Sequence, residues 1–155
     1  MRIRLSIWLT LLMWAVPVLA SEGAGHGHDS FHKHHLAGFL GNTTNYKGKN
    51  AFTYGLDYEY RLNQLWGLAA LFDNAGDDIQ TTVVAVGAML HPVGGLRLQA
   101  APGLDFHGSK EEFVIRFGVL YDFHLGNWTL GPATYLDVLE AKESLIFGLG
   151  FGRGF

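Results

Sequence analysis

Leu145-Ile146-Phe147-Gly148-Leu149-Gly150-Phe151-Gly152-Arg153-Gly154-Phe155 decides the fold. Taken by twos, Leu145, Phe147, Leu149, Phe151 and Phe155 share one face. Ser144, Gly148, Gly150, Gly152 and Gly154 share the other, with Ile146 the apolar exception. This is the alternation of a strand with one apolar face and one nearly bare face. A water-soluble chain has little reason to stop on such a strand. A transmembrane β-barrel does, because its last strand pairs with its first and its apolar face meets lipid.

Working back from the end, seven more segments alternate in the same way: residues 35–43, 51–61, 65–74, 79–90, 96–106, 112–123 and 128–139. In the second, Phe52, Tyr54, Leu56, Tyr58 and Tyr60 oppose Thr53, Gly55, Asp57, Glu59 and Arg61. In the sixth, Phe113, Ile115, Phe117, Val119, Tyr121 and Phe123 oppose Arg116, Gly118 and Asp122. Segments of this length match the ~9–11 residues that cross a bilayer at a tilt. An even count of short-linked segments predicts an all-β, eight-stranded, antiparallel up-and-down barrel. A soluble barrel would turn its bulky apolar face inward. Here the apolar face is the larger one and carries aromatics at strand ends, as an interfacial girdle does.

The front of the chain reads differently. Arg2 and Arg4 precede an apolar run from Leu5 to Val16, and Val18-Leu19-Ala20 suits cleavage. Residues 1–20 are therefore expected to be a signal peptide. Residues 21–34 are expected to form a flexible, histidine-rich leader, and residues 35–155 the barrel. The 155 residues contain no cysteine, so no disulfide framework is available. The formal charge of −3 and the lack of a basic stripe argue against a nucleic-acid partner. With the N-terminus placed in the periplasm, residues 61–64, 91–95 and 124–127 become periplasmic turns. Residues 42–50, 73–78, 107–111 and 140–143 become the outer loops.

The polar face should line the lumen. Its charges are Asp57, Glu59, Arg61, Arg97, Asp105, Arg116, Asp122 and Asp137, accompanied by Gln99 and Tyr135. Inside eight strands there is room for side chains and little else. Arg97 and Arg116 therefore require carboxylate partners, for which Asp57, Glu59 and Asp137 are candidates. Pro102 and Pro132 each remove a ladder donor, so each predicts a bulge or a local opening of the wall.

Two further clusters carry side chains capable of chemistry. His107 and Ser109, with Glu111 close by, offer the residue types of a base, a nucleophile and an orienting acid. The same His-x-Ser step occurs in outer-membrane lipid A deacylases, without the rest of their motif, and would imply a lipid hydrolase. His26, His28, His32, His34 and His35 are clustered enough to bind zinc, copper or nickel. The expectation without these sites is a non-enzymatic barrel with no cofactor.

The stretches Tyr54-Gly55-Leu56-Asp57-Tyr58-Glu59-Tyr60-Arg61 and Gly118-Val119-Leu120-Tyr121-Asp122-Phe123, with the terminal Phe155, carry a resemblance. Over residues 34–155 the chain resembles the small eight-stranded bacterial outer-membrane barrels of the OmpA-like and porin-like class. The resemblance implies a Gram-negative outer-membrane location, contact with its lipids and lipopolysaccharide, and a monomer. It also implies that Phe155 is an assembly signal for the barrel-assembly machinery. The short outer loops and the missing peptidoglycan-binding domain depart from the OmpA-like pattern. They leave a structural or limited small-molecule transport role as the expectation.

Overall fold

The computed structural model describes residues 32–76 and 78–155. They form one antiparallel sheet of segments β1 His34–Asn45, β2 Asn50–Arg61, β3 Trp66–Ala75, β4 Thr81–Leu90 and β5 Leu96–His107. It continues with β6 Lys110–Tyr121, β7 Phe123–Leu125, β8 Trp128–Leu139 and β9 Lys142–Gly154. Each segment pairs with the next along the chain, except where β7 carries β6 onward past Asp122. Both halves of that strand pair with β8, and in one register: Leu120 opposes Ala133, and Phe123 opposes Leu130. They are one stave broken at one residue, so the barrel has eight.

Closure comes from β1 and β9. The pairing runs from His35 opposite Gly154 to Asn45 opposite Ser144. Phe155 adds two bonds beyond it, donating to His34 O at 2.9 Å and accepting from His34 N at 3.1 Å. The C-terminal strand therefore has no free edge to leave unpaired. The start of β1 and the chain terminus lie together at one end of the barrel, its lower end.

Exposure follows the alternation. In β2, β3 and β8 buried and exposed residues succeed one another nearly without a break. The outer set is apolar: Leu36, Leu40, Phe52, Leu56, Leu68, Val86, Phe117, Leu149 and Phe151 are all exposed. The buried set contains Asp57, Glu59, Asp73, Arg97, Arg116 and Asp137. Apolar side chains outside and charges inside suit lipid as the surrounding solvent.

The glycines of the inner face are not empty wall. A Cβ on Gly148 would stand 2.8 Å from Phe39 Cζ, and one on Gly118 would stand 2.8 Å from Tyr135 Cδ1. A Cβ on Gly152 would stand 2.6 Å from the His35 ring. Each glycine seats a bulky neighbour, which lets a narrow barrel hold aromatic and charged side chains at close packing.

Several boundaries differ from the expectation. β1 runs from His34 to Asn45 and leaves only residues 46–49 as its outer connection. Asp73 is not a loop residue; it is an inner residue of β3. β4 starts at Thr81, because Ile79 folds over the upper end and packs with Ala51 and Ala75. β9 starts at Lys142, since the tight turn after Leu139 lets pairing resume at once.

The prolines do not make bulges. Around Pro102 the β4–β5 pairing lapses between Ala85–Gly103 and Ala88–Ala100, yet the register is the same on both sides. Around Pro132 the β6–β8 ladder lapses in the same way. A missing donor interrupts the ladder without an extra residue. The wall is shut at Pro102: Ala101 is fully buried, and Gly87 lies too close to it to admit a Cβ.

Candidate functional site: the barrel interior

The interior is organised around two arginines on neighbouring strands. Arg116, on β6, reaches Asp137 of β8 through two parallel bonds, Nε to Oδ1 at 2.6 Å and Nη2 to Oδ2 at 2.7 Å. The two residues face each other directly in the register. Its Nη1 donates to Asp73 of β3. Three staves are thereby tied across the lumen by one guanidinium, whose planar fork matches a carboxylate. The Arg116 guanidinium also lies 5.1 Å from the Tyr135 ring centre.

Asp57 has a different partner from the one expected. It accepts the Tyr135 hydroxyl at 3.0 Å rather than an arginine fork. Tyr135 packs edge-on against Phe39, with ring centres 5.4 Å apart. Leu120, Ala133 and Ile146 complete that apolar patch. This is why Ile146 breaks the pattern of the last strand: it is an inner residue buried beside Phe39.

Arg97, on β5, forms the lower cluster. It pairs with Asp122 at 2.9 Å and with Glu59 at 3.3 Å. Glu59 also bonds His91 Nε2 at 2.5 Å. Arg97 Nη1 donates to His35 Nδ1 at 3.4 Å, which leaves the ring proton on Nε2 to meet Thr129 Oγ1 at 2.9 Å. Arg97, Glu59 and Asp122 thus each have an opposite charge within reach, as burial demands, while Asp57 is held by a neutral hydroxyl. Nearer the upper end, Leu71, Val83, Ala85, Ala101, Val114 and Leu139 form a buried apolar layer. Thr43 and Thr53 bond across the β1–β2 pair at 2.5 Å. Buried side chains therefore occupy the interior from the Arg97 cluster upward.

No family model and no curated protein matches the chain. Solved structures do. The N-terminal β-barrel domain of Pseudomonas aeruginosa OprF has a TM-score of 0.60 at 18% identity, covering 80% of this chain and 98% of that one. Ail, the attachment invasion locus protein of Yersinia pestis, solved with the heparin analogue sucrose octasulfate, has a TM-score of 0.56 at 15% identity, over 79% and 97%. Neisserial surface protein A has a TM-score of 0.52 at 11% identity, over 79% and 96%. This chain has the fold of the small eight-stranded outer-membrane barrels.

Within that barrel, the expected lumen charges divide. Asp57, Glu59, Arg97, Arg116 and Asp137 are buried inside. Asp122 is inside as well, at the break between β6 and β7. Asp105 sits near the upper rim and accepts the Thr81 hydroxyl. Arg61 closes the lower turn, donating to Gln64 O at 2.9 Å. The partners missed from sequence are Asp73, His35, His91 and Thr129. Asp73 and Thr129 could have been found by extending the inner alternation of their strands. His35 and His91 carried no such signal, being at a strand start and in a turn.

His107, Ser109 and Glu111 stand exposed at the tip of the β5–β6 hairpin. No hydrogen bond joins any two of their side chains among the described residues. The histidine cluster separates. His26 and His28 lie outside the described residues. His32 packs beside Gly154 at the lower end. His34 points outward, stacked 5.5 Å from Phe155 and bonded to the Tyr58 hydroxyl at 2.7 Å. His35 points inward to Thr129. Neighbouring residues of a strand face opposite sides, so His34 and His35 do not converge on one ion. Among the described residues, no group of three or more metal-ligating side chains comes together.

Proposed function

We propose that this protein resides in the Gram-negative outer membrane as a monomeric barrel of structural role, with an occluded lumen. The observation that carries the reading is the interior occupied by buried side chains, with Arg116–Asp137–Asp73 interleaved with an apolar cluster. An eight-stranded wall leaves space for these side chains and no continuous aqueous path. The short upper connections add little surface for binding a large partner. The N-terminus faces the periplasm, where short turns join the strands. Phe155, paired with His34 at the seam, serves as the signal to the barrel-assembly machinery. The outer surface contacts phospholipid on the periplasmic side and lipopolysaccharide on the other.

Planar-bilayer recording of the refolded protein tests this. The expected result is insertion without discrete conductance steps. Reproducible unitary steps, with liposome swelling in small sugars, would show a transport path and overturn the reading. Membrane fractionation tests the location, and protease treatment of intact cells tests the side of the N-terminus.

A further inference from the structure

The lipid-facing wall has an open groove with a charge beside it. Gly38 lies on the outer face of β1, directly between Phe151 of β9 and Leu56 of β2. Nothing comes within 4 Å of where its Cβ would be. The result is a groove of about 580 Å³ bounded by Leu36, Leu56, Trp128, Phe151 and Arg153. Gly38 is four residues above His34, so the groove runs about 13 Å along β1 from the lower rim toward the apolar belt.

Arg153 stands at its lower edge. It falls in step with Leu149, Phe151 and Phe155 at every second position, which places it on the outer face, and it is exposed. It opposes Leu36 on one side and Trp128 on the other. The guanidinium carbon lies 5.1 Å from the Trp128 ring centre, and Trp128 stacks on Phe151 at 5.0 Å and 17°. The stack holds the guanidinium at the groove mouth. Arg153 makes no ion pair among the described residues. An arginine on a lipid-facing wall needs an anion, and at the aromatic girdle the anion at hand is a lipid phosphate.

We propose that Arg153 and the Gly38 groove form a binding site for an anionic diacyl phospholipid. One acyl chain lies over Gly38 against Leu56 and Phe151, and the phosphate rests on the Arg153 guanidinium. The assignment builds on the membrane location proposed above. The barrel supplies its own comparison: a shallower recess of about 310 Å³ beside Pro102 is lined by Val84, Val86, Leu104 and Phe106, with no charged residue. It offers an acyl chain a surface but gives a head group no anchor.

The test is native mass spectrometry of the full chain released from nanodiscs of phosphatidylethanolamine, phosphatidylglycerol and diacylglycerol, with and without added lipopolysaccharide. The wild-type barrel should retain one phosphatidylglycerol in preference to phosphatidylethanolamine or diacylglycerol. Arg153→Gln should lower that retention about fivefold, the effect of one charge at a membrane surface. Gly38→Leu, which fills open space, should lower it comparably. Val86→Leu at the uncharged recess should leave it unchanged. Equal retention by wild type, Arg153→Gln and Gly38→Leu overturns the site, as does equal retention of diacylglycerol. Lipopolysaccharide displacing the phospholipid from this edge would also overturn it. Failure of the wild type to enter nanodiscs at all would instead count against the membrane location.

Discussion

Arg116 holds two carboxylates, Asp73 and Asp137, where water does not reach. Removing it leaves both anions buried together. Arg116→Leu should therefore cost about 3–5 kcal/mol. Urea unfolding in lipid vesicles, followed by tryptophan fluorescence, reads this loss. Asp73→Asn and Asp137→Asn in the same chain should restore much of it, because the uncompensated charges are then gone. A second contrast concerns glycine. At Gly148 a Cβ would meet backbone, the Gly41 Cα at 2.6 Å, whereas Gly38 has open space. Gly148→Val should abolish the folded, fast-migrating band on unheated gels, and Gly38→Val should preserve it. Both are glycines of paired strands; they differ only in which side of the wall they face.

The seam between β1 and β9 is the element that makes a sheet into a barrel. Leu40 and Leu149 are direct partners across it, and both point outward. The chain has no native cysteine, so an introduced pair has no competitor. Leu40→Cys with Leu149→Cys should cross-link under mild oxidation. Leu40→Cys with Gly150→Cys should not, since Gly150 faces the lumen. Equal cross-linking of both pairs would falsify the register. The break at Asp122 shows a different use of an element's irregularity. The ladder lapses opposite Pro132, and Asp122 at that gap turns its carboxylate to Arg97.

At the scale of the molecule, the barrel is closed at two levels. The Arg97 cluster fills the lower part, and the layer of Leu71, Val83, Val114 and Leu139 lies nearer the upper end. Removing one level leaves the other. Arg97→Ala with Glu59→Ala should therefore remain electrically silent in planar bilayers. Conductance from that variant would mean that the apolar layer does not seal.

Much of this molecule was legible in the order of its residues. The period of two in eight segments, with bulky apolar residues on one side and charge with glycine on the other, specified strands and their faces. That pattern depends only on neighbours along a strand and on which solvent each face meets. Phe155, Leu149 and Phe151 needed no tertiary information to be placed on the outer wall. The inner partners did. Whether Arg116 meets Asp137 and Asp73, or Asp57 meets Tyr135, depends on the stagger between strands and on which staves face each other across the lumen. A shift of two residues would keep every face and change every pair. His35 and His91 joined the Arg97 cluster only because barrel closure brings a strand start and a turn together at the lower end. The last strand shows both sides of this division. Its bare face was visible as a row of glycines, but the reason for it, rings of His35 and Phe39 seated there, exists only once the barrel has closed.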